Sequence, residues 1–450
     1  MRMKSEWTPG WLTLRFEPDV DDPIERGKTS LSGNVARLAL PDAFGPDDLH
    51  PDLEALIGLL LVQPFTRRSL VVDRPVSPVF AAAALGAMRR DVGAVDRGLA
   101  PRPMPANGRP GLAFSGGSDS IAALSVLPET AVPVFLRRIT PDGAAVRSLY
   151  RDEAAVHACA ELSARHGFEV ATVESDIEYL RTPIGFPTDW ANALGAVLLA
   201  DRFNLDSISW GLVAESAYRI GHEEYQDWAT RRTAWAAVFE AAGLHFTAPV
   251  AGVSEVGTAA IVAASPYRDL AQSCIRGSVG IPCRNCWKCF RKSLLEAAIE
   301  SRWPSDDELD ALFRIPEVGR KLNNLPIAHE NVIAWLVARY PGRHPKMAIV
   351  RQRVGAGELQ LDYLQRWYGP SAALFPARHG ATITARLDGY LDRMGDSDVQ
   401  RFRAWTMHKR LAGRATKRSA EALRLALTPD AGDGQPSEGR LSRVLAAMGR

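Results

Sequence analysis

The stretch Ser115-Gly116-Gly117-Ser118-Asp119-Ser120 follows the short apolar run Gly111–Phe114 and precedes an apolar helical pattern over Ile121–Leu127. This order predicts a strand, a tight turn and the first turn of a helix. Glycines let backbone N–H groups approach an oxyanion closely, and the N-terminus of a helix carries partial positive charge. The stretch therefore predicts a phosphate-binding loop. It is not a Walker loop, because no Gly-Lys-Ser/Thr follows the glycines.

The side chains of this stretch suit the same ligand. Hydroxyl groups of Ser115, Ser118 and Ser120 can donate further hydrogen bonds to phosphate oxygens. The Asp119 carboxylate can hold a magnesium ion or orient a nucleotide. The alternative is a serine-rich turn that caps a helix and binds nothing. The predicted position between a strand and a helix favours the phosphate site.

The pattern of apolar, glycine and proline residues divides the chain into three regions. Residues 1–105 mix strand-like and helical runs, end in a proline-rich linker and predict an N-terminal α+β extension. Residues 109–300 alternate strand and helix, which predicts an α/β domain with a doubly wound parallel sheet. Residues 301–450 predict a mostly helical C-terminal domain. The strands predicted in the second region are Leu112–Phe114, Val132–Leu136, Glu169–Val173, Ser207–Leu212 and Leu244–Thr247, and its helices are Ser120–Leu127, Arg151–Arg165, Asp189–Phe203 and Asp227–Ala242.

Composition limits the partners and the location. The 450 residues carry a net charge of +2, which favours no class of partner, but positions 401–450 hold eleven Lys/Arg against four acidic residues. This basic tail can meet nucleic acid or an acidic partner, or it is a solvated helical face. No run is long enough for a membrane helix, and no apolar segment follows Arg2 and Lys4 as in a signal peptide. Few cysteines, most of them close together, fit a cytoplasmic protein.

Four of the five cysteines form a cluster with the spacing C-x8-C-x2-C-x2-C, namely Cys274, Cys283, Cys286 and Cys289. Four thiolates without an open position are typical of structural zinc, and the segment 274–289 therefore predicts a zinc knob. An iron–sulfur cluster and unmetallated thiols are the alternatives. Neighbouring cations, which are Arg284, Lys288, Arg291 and Lys292, would offset the charge of the thiolates. The fifth cysteine, Cys159, shares a helical face with apolar residues and predicts a core position.

The phosphate-loop stretch matches every defined position of the signature Ser-Gly-Gly-x-Asp-Ser, and so resembles the PP-loop of the ATP pyrophosphatase superfamily. Together with the cysteine spacing roughly 150 residues later, it resembles 7-cyano-7-deazaguanine synthase and its relatives over about residues 109–300. The resemblance implies a sheet of the adenine-nucleotide α-hydrolase type. It also implies Mg²⁺ and ATP bound by Ser115, Gly116, Gly117, Ser118, Asp119 and Ser120, catalytic work by Asp119 and Ser120, and Zn²⁺ on the four cysteines.

What the resemblance implies for function is an AMP-forming ligase. That family adenylates a carboxylate, releases pyrophosphate, takes up ammonia and makes an amide, which it activates again and dehydrates to a nitrile. Here the substrate would be a small-molecule carboxylate or a protein acceptor, because relatives occur in anti-phage systems. The alternative is a catalytically retired, zinc-stabilised module that binds ATP or assembles with partners.

Departures from the family point to a different substrate pocket. Val213 stands where the family has an asparagine, and the recognition stretch that follows it is missing. Glu255 stands where a lysine neutralises phosphate, and a carboxylate there would repel phosphate. Arg268, Arg276 or Lys292 would then supply the missing positive charge. The candidates for a substrate loop after Gly211 are Glu215, Tyr218, Arg219, His222, Glu223 and Trp228.

Overall fold

The computed structural model describes residues 1–221, 223–324, 326–356 and 359–406, together with 421, 424 and 425. Most of the predicted basic tail and the candidate His222 lie outside these residues. Every helix in the described ranges is too short or too polar to span a bilayer.

Thirteen strands are present in the described residues, and alternating or continuous runs of Val, Ile, Leu and Phe account for most of them. They are β1 (Arg2–Thr8), β2 (Trp11–Glu17), β3 (Glu25–Arg26), β4 (Thr29–Leu31), β5 (Val35–Ala39), β6 (Ser69–Val76), β7 (Asp91–Val95), β8 (Arg109–Phe114), β9 (Val132–Arg138), β10 (Ala171–Ser175), β11 (Arg181–Thr182), β12 (Leu205–Trp210) and β13 (His245–Thr247). All five strands predicted between residues 109 and 300 overlap an observed strand.

The α-helices of the described residues begin mostly at Ser, Pro or Gly positions that suit a helix N-terminus. They are α1 (Pro51–Val62), α2 (Pro78–Met88), α3 (Ser118–Val126), α4 (Glu153–His166), α5 (Leu194–Leu198), α6 (Ala214–Ala217), α7 (Trp228–Ala241), α8 (Glu255–Ala264), α9 (Trp287–Glu300), α10 (Asp306–Phe313), α11 (Pro316–Leu322), α12 (Glu330–Arg339), α13 (Pro345–Arg353), α14 (Ala377–Tyr390) and α15 (Asp396–Arg403).

Ten of the strands form one mixed, mostly parallel sheet in the order β13-β12-β8-β9-β10-β5-β2-β1-β6-β7. Within it, β13, β12, β8, β9 and β10 are all parallel. Numbered by their order along the chain, these five strands run 5-4-1-2-3 across the sheet, which is a doubly wound order. The strand order therefore reverses between β8 and β12.

The N-terminal strands join this sheet through an antiparallel pair in which Ser175 of β10 faces Leu38 of β5. Residues 1–105 thus share a sheet with the strands that follow them. A predicted boundary at residue 105 has no counterpart in the compact units of the structure. Because β5 and β10 lie far apart in sequence, local patterns carry no signal of their pairing.

The compact units are a sheet unit and a helical unit. The sheet unit comprises residues 1–211, 229–249 and 374–383, and the helical unit comprises 212–228, 250–373 and the described residues from 384 on. In the sheet unit, His379 Nε2 lies 2.9 Å from both carboxylate oxygens of Asp206, and both side chains are buried. This contact attaches the late segment 374–383 to β12.

Candidate functional site

The Ser115–Ser120 loop joins β8 to α3 in the sheet unit, as the sequence predicted. Gly117 is the N-cap residue of α3, and Gly116 adopts a left-handed backbone conformation with φ of +68°. A Cβ on Gly116 would lie 3.2 Å from Cα of Ala155 in α4. Glycine is favoured there by both conformation and space. The loop can therefore lie close to α4 at the start of α3.

The serines of the loop differ in environment. The Ser120 hydroxyl is buried and donates to the Gly117 carbonyl over 2.9 Å, and its oxygen lies 3.3 Å from the Ser115 hydroxyl. Ser118 is buried, Asp119 is half-buried and Ser115 is exposed. In this structure Ser120 therefore holds the shape of the loop, whereas Ser115 and Asp119 are accessible to a ligand.

Gly211, directly after β12, lies against the same loop. A Cβ on Gly211 would come within 2.6 Å of the carbonyl of Asp119 and 2.7 Å of the Ser120 nitrogen. Only glycine allows this approach of two backbones. The carboxyl ends of β8 and β12 are neighbours at the point where the strand order reverses, and ligands bind there in open α/β sheets. This loop offers an anion a helix N-terminus and a glycine-rich backbone.

The four-cysteine cluster lies in the helical unit, at the N-terminus of α9. All four Sγ atoms lie within 4.8 Å of one another, with 3.7 Å between Cys283 and Cys289 and 3.5 Å between Cys286 and Cys289. A tetrahedral zinc ion with Zn–S bonds of about 2.3 Å places its sulfurs about 3.8 Å apart. The cluster predicted from the spacing is thus brought together, and it can hold a metal ion.

Backbone N–H groups donate hydrogen bonds to several sulfurs of the cluster. Burial opposes ionisation of Cys274, but N–H groups of Cys283 and Arg276 donate to it and lower the pKa of Cys274 to about 7. The Cys283 nitrogen lies 3.2 Å from the Cys274 sulfur. Main-chain N–H groups of Asn285 and Cys289 also point at sulfurs, those of Cys283 and Cys286. Backbone donors therefore stabilise the Cys274 thiolate, whereas burial raises the pKa of Cys283 and Cys289.

Two cations of α9, Arg291 and Lys292, pair with Glu255. Arg291 forms a bidentate pair with Glu255, with donor–acceptor distances of 2.9 and 3.0 Å, and Lys292 Nζ lies 3.4 Å from the same carboxylate. All three side chains are buried. Burial opposes ionisation of Glu255, but Lys292 and Arg291 hold its pKa well below the usual range. Glu255 therefore presents no unneutralised charge that could repel phosphate.

The three cations that were predicted to supply the positive charge missing at position 255 all form ion pairs within the helical unit. Arg268 pairs with Glu300 over 3.1 Å, Arg276 approaches Glu317 at 4.0 Å, and Lys292 contacts Glu255 as described.

A second buried carboxylate, that of Glu215, lies next to Glu255. It accepts hydrogen bonds from the Glu255 nitrogen at 3.0 Å and from the Asn331 side chain at 2.8 Å. Burial and the neighbouring charge of Glu255 raise the pKa of Glu215 to about 8. His329 Nδ1 lies 3.0 Å from Glu255, and burial lowers the pKa of His329. Sequence analysis missed Asn331, because its partners come from distant segments.

The first part of the segment expected to form a substrate loop, residues 213–221, is mostly buried in the helical unit, whereas residues 223–227 are exposed or half-buried. Tyr218 and Trp228, expected to stack on a flat ligand, are buried, and Tyr218 packs against Tyr368 and Phe402. Arg219 pairs with Glu223 within one turn of chain. A Cβ on Gly221 would lie 1.9 Å from the Asn331 side chain, so only glycine fits where the segment contacts α12.

The fifth cysteine belongs to the core, as predicted. Cys159 is buried on α4, and burial raises the pKa of its thiol to about 12. A thiol in this environment is a poor nucleophile.

Comparison with known proteins gives one partial similarity. A model described as a family of unknown function, DUF6395, matches residues 234–406. The matched range includes all four cysteines and excludes the Ser115–Ser120 loop. No curated protein and no solved structure matches the chain.

Substitution of Gly211 tests the close approach of the two backbones. We expect Gly211→Ala to lower the free energy of unfolding by about 1–3 kcal/mol or more, because the new methyl group overlaps backbone atoms that cannot rotate away. The measurement is urea unfolding followed by circular dichroism. The control is Gly86→Ala, because a Cβ on Gly86 would meet no neighbouring atom within 4 Å. Equal stability of the two variants would contradict the described contact.

Glu215 makes stability depend on pH. The folded protein keeps the Glu215 proton up to about pH 8, whereas an ordinary glutamate loses it near 4.5, so stability falls as the pH rises between these values. The contribution of Glu255 has the opposite sign and is lost only as the pH falls below about 4.5. We expect the wild type to lose more stability than Glu215→Gln between pH 5 and 8. The difference should be on the order of 3 kcal/mol, at about 1.4 kcal/mol per pKa unit.

Urea unfolding of the metal-loaded protein at pH 5, 6, 7 and 8 measures this difference. Glu129→Gln, at an exposed glutamate of the sheet unit, is the matched control and should follow the wild type. Parallel profiles for the wild type and Glu215→Gln would show that Glu215 is ionised throughout.

Proposed function

We propose that the protein binds Mg·ATP on the Ser115–Ser120 loop and uses it to adenylate a substrate, releasing pyrophosphate. The observation that carries this proposal is the placement of the loop. A Gly-Gly turn with one left-handed glycine leads into a helix at the reversal point of a parallel sheet. An anionic ligand is attracted there by the helix N-terminus and the backbone N–H groups. The resemblance of the stretch to a PP-loop supports ATP as that anion.

In this proposal the residues of the loop divide the work. Gly116 and Gly117 present N–H groups to the phosphates, and the exposed Ser115 hydroxyl donates to a phosphate oxygen. Asp119 holds the magnesium ion, and Ser120 keeps the loop in shape through its bond to the Gly117 carbonyl. Positioning and stabilisation of negative charge would carry the catalysis.

The reaction begins when a carboxylate oxygen of the substrate attacks the α-phosphorus. The bond to pyrophosphate breaks, and an acyl-adenylate forms. Ammonia or an amine then attacks the acyl carbon, AMP leaves with the bonding electron pair, and the product amide loses a proton to solvent. A second activation of the amide with ATP would dehydrate it to a nitrile. The acceptor is a small-molecule carboxylate or a protein carboxylate.

We further propose that the four-cysteine cluster binds zinc as a structural ion. Cys274, Cys283, Cys286 and Cys289 would fill all four positions of a tetrahedron, so the ion would stabilise the start of α9 rather than bind substrate. The sulfur separations of 3.5 and 3.7 Å suit a single ion. In a four-iron cluster each cysteine binds a different iron, and the sulfurs lie farther apart.

Nucleotide binding is the first test of the proposed function. We expect Asp119→Asn to weaken binding of Mg·ATP at least about tenfold in calorimetric titration, because a charged ligand of the metal–phosphate group is lost. Asp91→Asn, at an exposed position on the edge strand β7, should bind like the wild type. A folded, metal-loaded wild type that binds no ATP would refute the proposal.

The products distinguish an enzyme from a binding module. An enzyme releases AMP and pyrophosphate in equal amounts when carboxylates are supplied with ammonia or amines. A protein that binds ATP and leaves it whole in every such mixture is the retired module instead.

Metal analysis tests the zinc assignment. We expect about one zinc ion per chain in the wild type and in Cys159→Ser. We expect near-complete loss of zinc in Cys286→Ser, together with a lower midpoint of thermal unfolding, because the coordination tetrahedron is broken. Mass spectrometric metal analysis and an absorption spectrum give the result. Iron with visible charge-transfer bands would overturn the zinc assignment.

A further inference from the structure

The end of β9 and the segments that follow β9 and β10 bring Arg138, Tyr150 and Glu178 together, at the edge of the sheet where the Ser115–Ser120 loop lies. β9 is the direct neighbour of β8, with Phe135 opposite Phe114, and Arg138 lies three residues beyond Phe135. Arg138 therefore lies one strand away, about 5 Å, and about 10 Å beyond the level at which the loop begins. Tyr150 lies five residues before Ala155 of α4, whose Cα would be 3.2 Å from a Cβ on Gly116.

This Arg138–Tyr150–Glu178 cluster contains an unsatisfied buried acceptor. The Glu178 side chain is 7% exposed, and its Oε1 accepts a hydrogen bond from Arg138 at 3.0 Å. Within the described residues, no group donates to the second oxygen, Oε2, which is buried. A buried carboxylate oxygen without a donor is unfavourable, and such a position favours a ligand that brings a donor.

Flat aromatic surfaces border the same position. The guanidinium carbon of Arg138 lies 3.3 Å from the centre of the Tyr150 ring and 5.2 Å from that of Phe186. Both rings are half-buried. The planar guanidinium thus occupies a space suited to a planar group.

We propose that this cluster binds the purine ring of ATP and that Glu178 is the residue that selects adenine. This inference rests on the proposed function and deepens it. The base stacks on Tyr150 and displaces the Arg138 guanidinium from the ring, and its 6-amino group donates to Glu178 Oε2. Arg138 remains paired with Oε1 and orients the carboxylate.

The chemistry of the acceptor defines the selectivity. A carboxylate paired with arginine accepts hydrogen bonds and donates none. It therefore favours the 6-amino group of adenine and repels the 6-oxo group of hypoxanthine or guanine. A hydrogen bond to a charged group contributes enough for about 10- to 100-fold discrimination between ATP and ITP.

Comparison of ATP with ITP tests the inference, because the two nucleotides differ in the 6-substituent and in the N1 proton that accompanies it. We expect the metal-loaded wild type to bind Mg·ATP at least about tenfold more tightly than Mg·ITP. Glu178→Gln should bring the ratio close to one, since an amide can present either its oxygen or its NH₂ group to the base. Tyr150→Leu should weaken both nucleotides and keep the ratio.

The matched control is Glu169→Gln, at an exposed glutamate paired with Arg109 near the opposite end of β8. It should keep the wild-type ratio. Equal affinities for ATP and ITP in the wild type, which needs no variant to fold, would overturn the inference and leave the proposed function standing. An unchanged ratio of ATP to ITP affinity in folded Glu178→Gln would also overturn the inference. Absence of binding by either nucleotide to the wild type would instead refute the proposed function, and this inference with it.

Discussion

The parallel pairing of β8 with β12 is the constraint on which the candidate site depends. It brings Gly211 against the backbone of Asp119 and Ser120, so the loop is defined on one side by a strand end and on the other by α4. Neither contact involves a side chain of the loop. The sheet and α4 therefore define the position of the loop, and the Ser120 hydroxyl bond to the Gly117 carbonyl holds its shape.

Local sequence patterns predicted much of the sheet unit. Short apolar runs bounded by glycine or polar residues predicted the five parallel strands β8, β9, β10, β12 and β13, and the loop with its helix follows β8 as expected. These features depend on contacts within a few residues, which a sequence pattern reports directly. The pairing of Leu38 with Ser175 and that of Asp206 with His379 depend on chain reversals over more than a hundred residues. No periodicity predicts such contacts.

The charge environment of Glu255 in the helical unit could not be predicted from local sequence patterns either. The sequence alone predicted that the negative charge of Glu255 would repel phosphate. In the structure, Arg291, Lys292 and His329 surround this carboxylate. A buried carboxylate is interpreted correctly only with its partners, since their charges decide its protonation state. The four cysteines were easier to interpret, because three of them fall within seven residues and tetrahedral coordination restricts the spacing.

The inclusion of residues 374–383 in the sheet unit has a consequence for biosynthesis. A ribosome releases the chain from its N-terminus, so β8, β12 and the loop emerge long before His379 reaches Asp206. Until then the Asp206 carboxylate, buried in the finished protein, lacks its histidine partner. The sheet unit is therefore complete only after residue 383 has emerged from the ribosome.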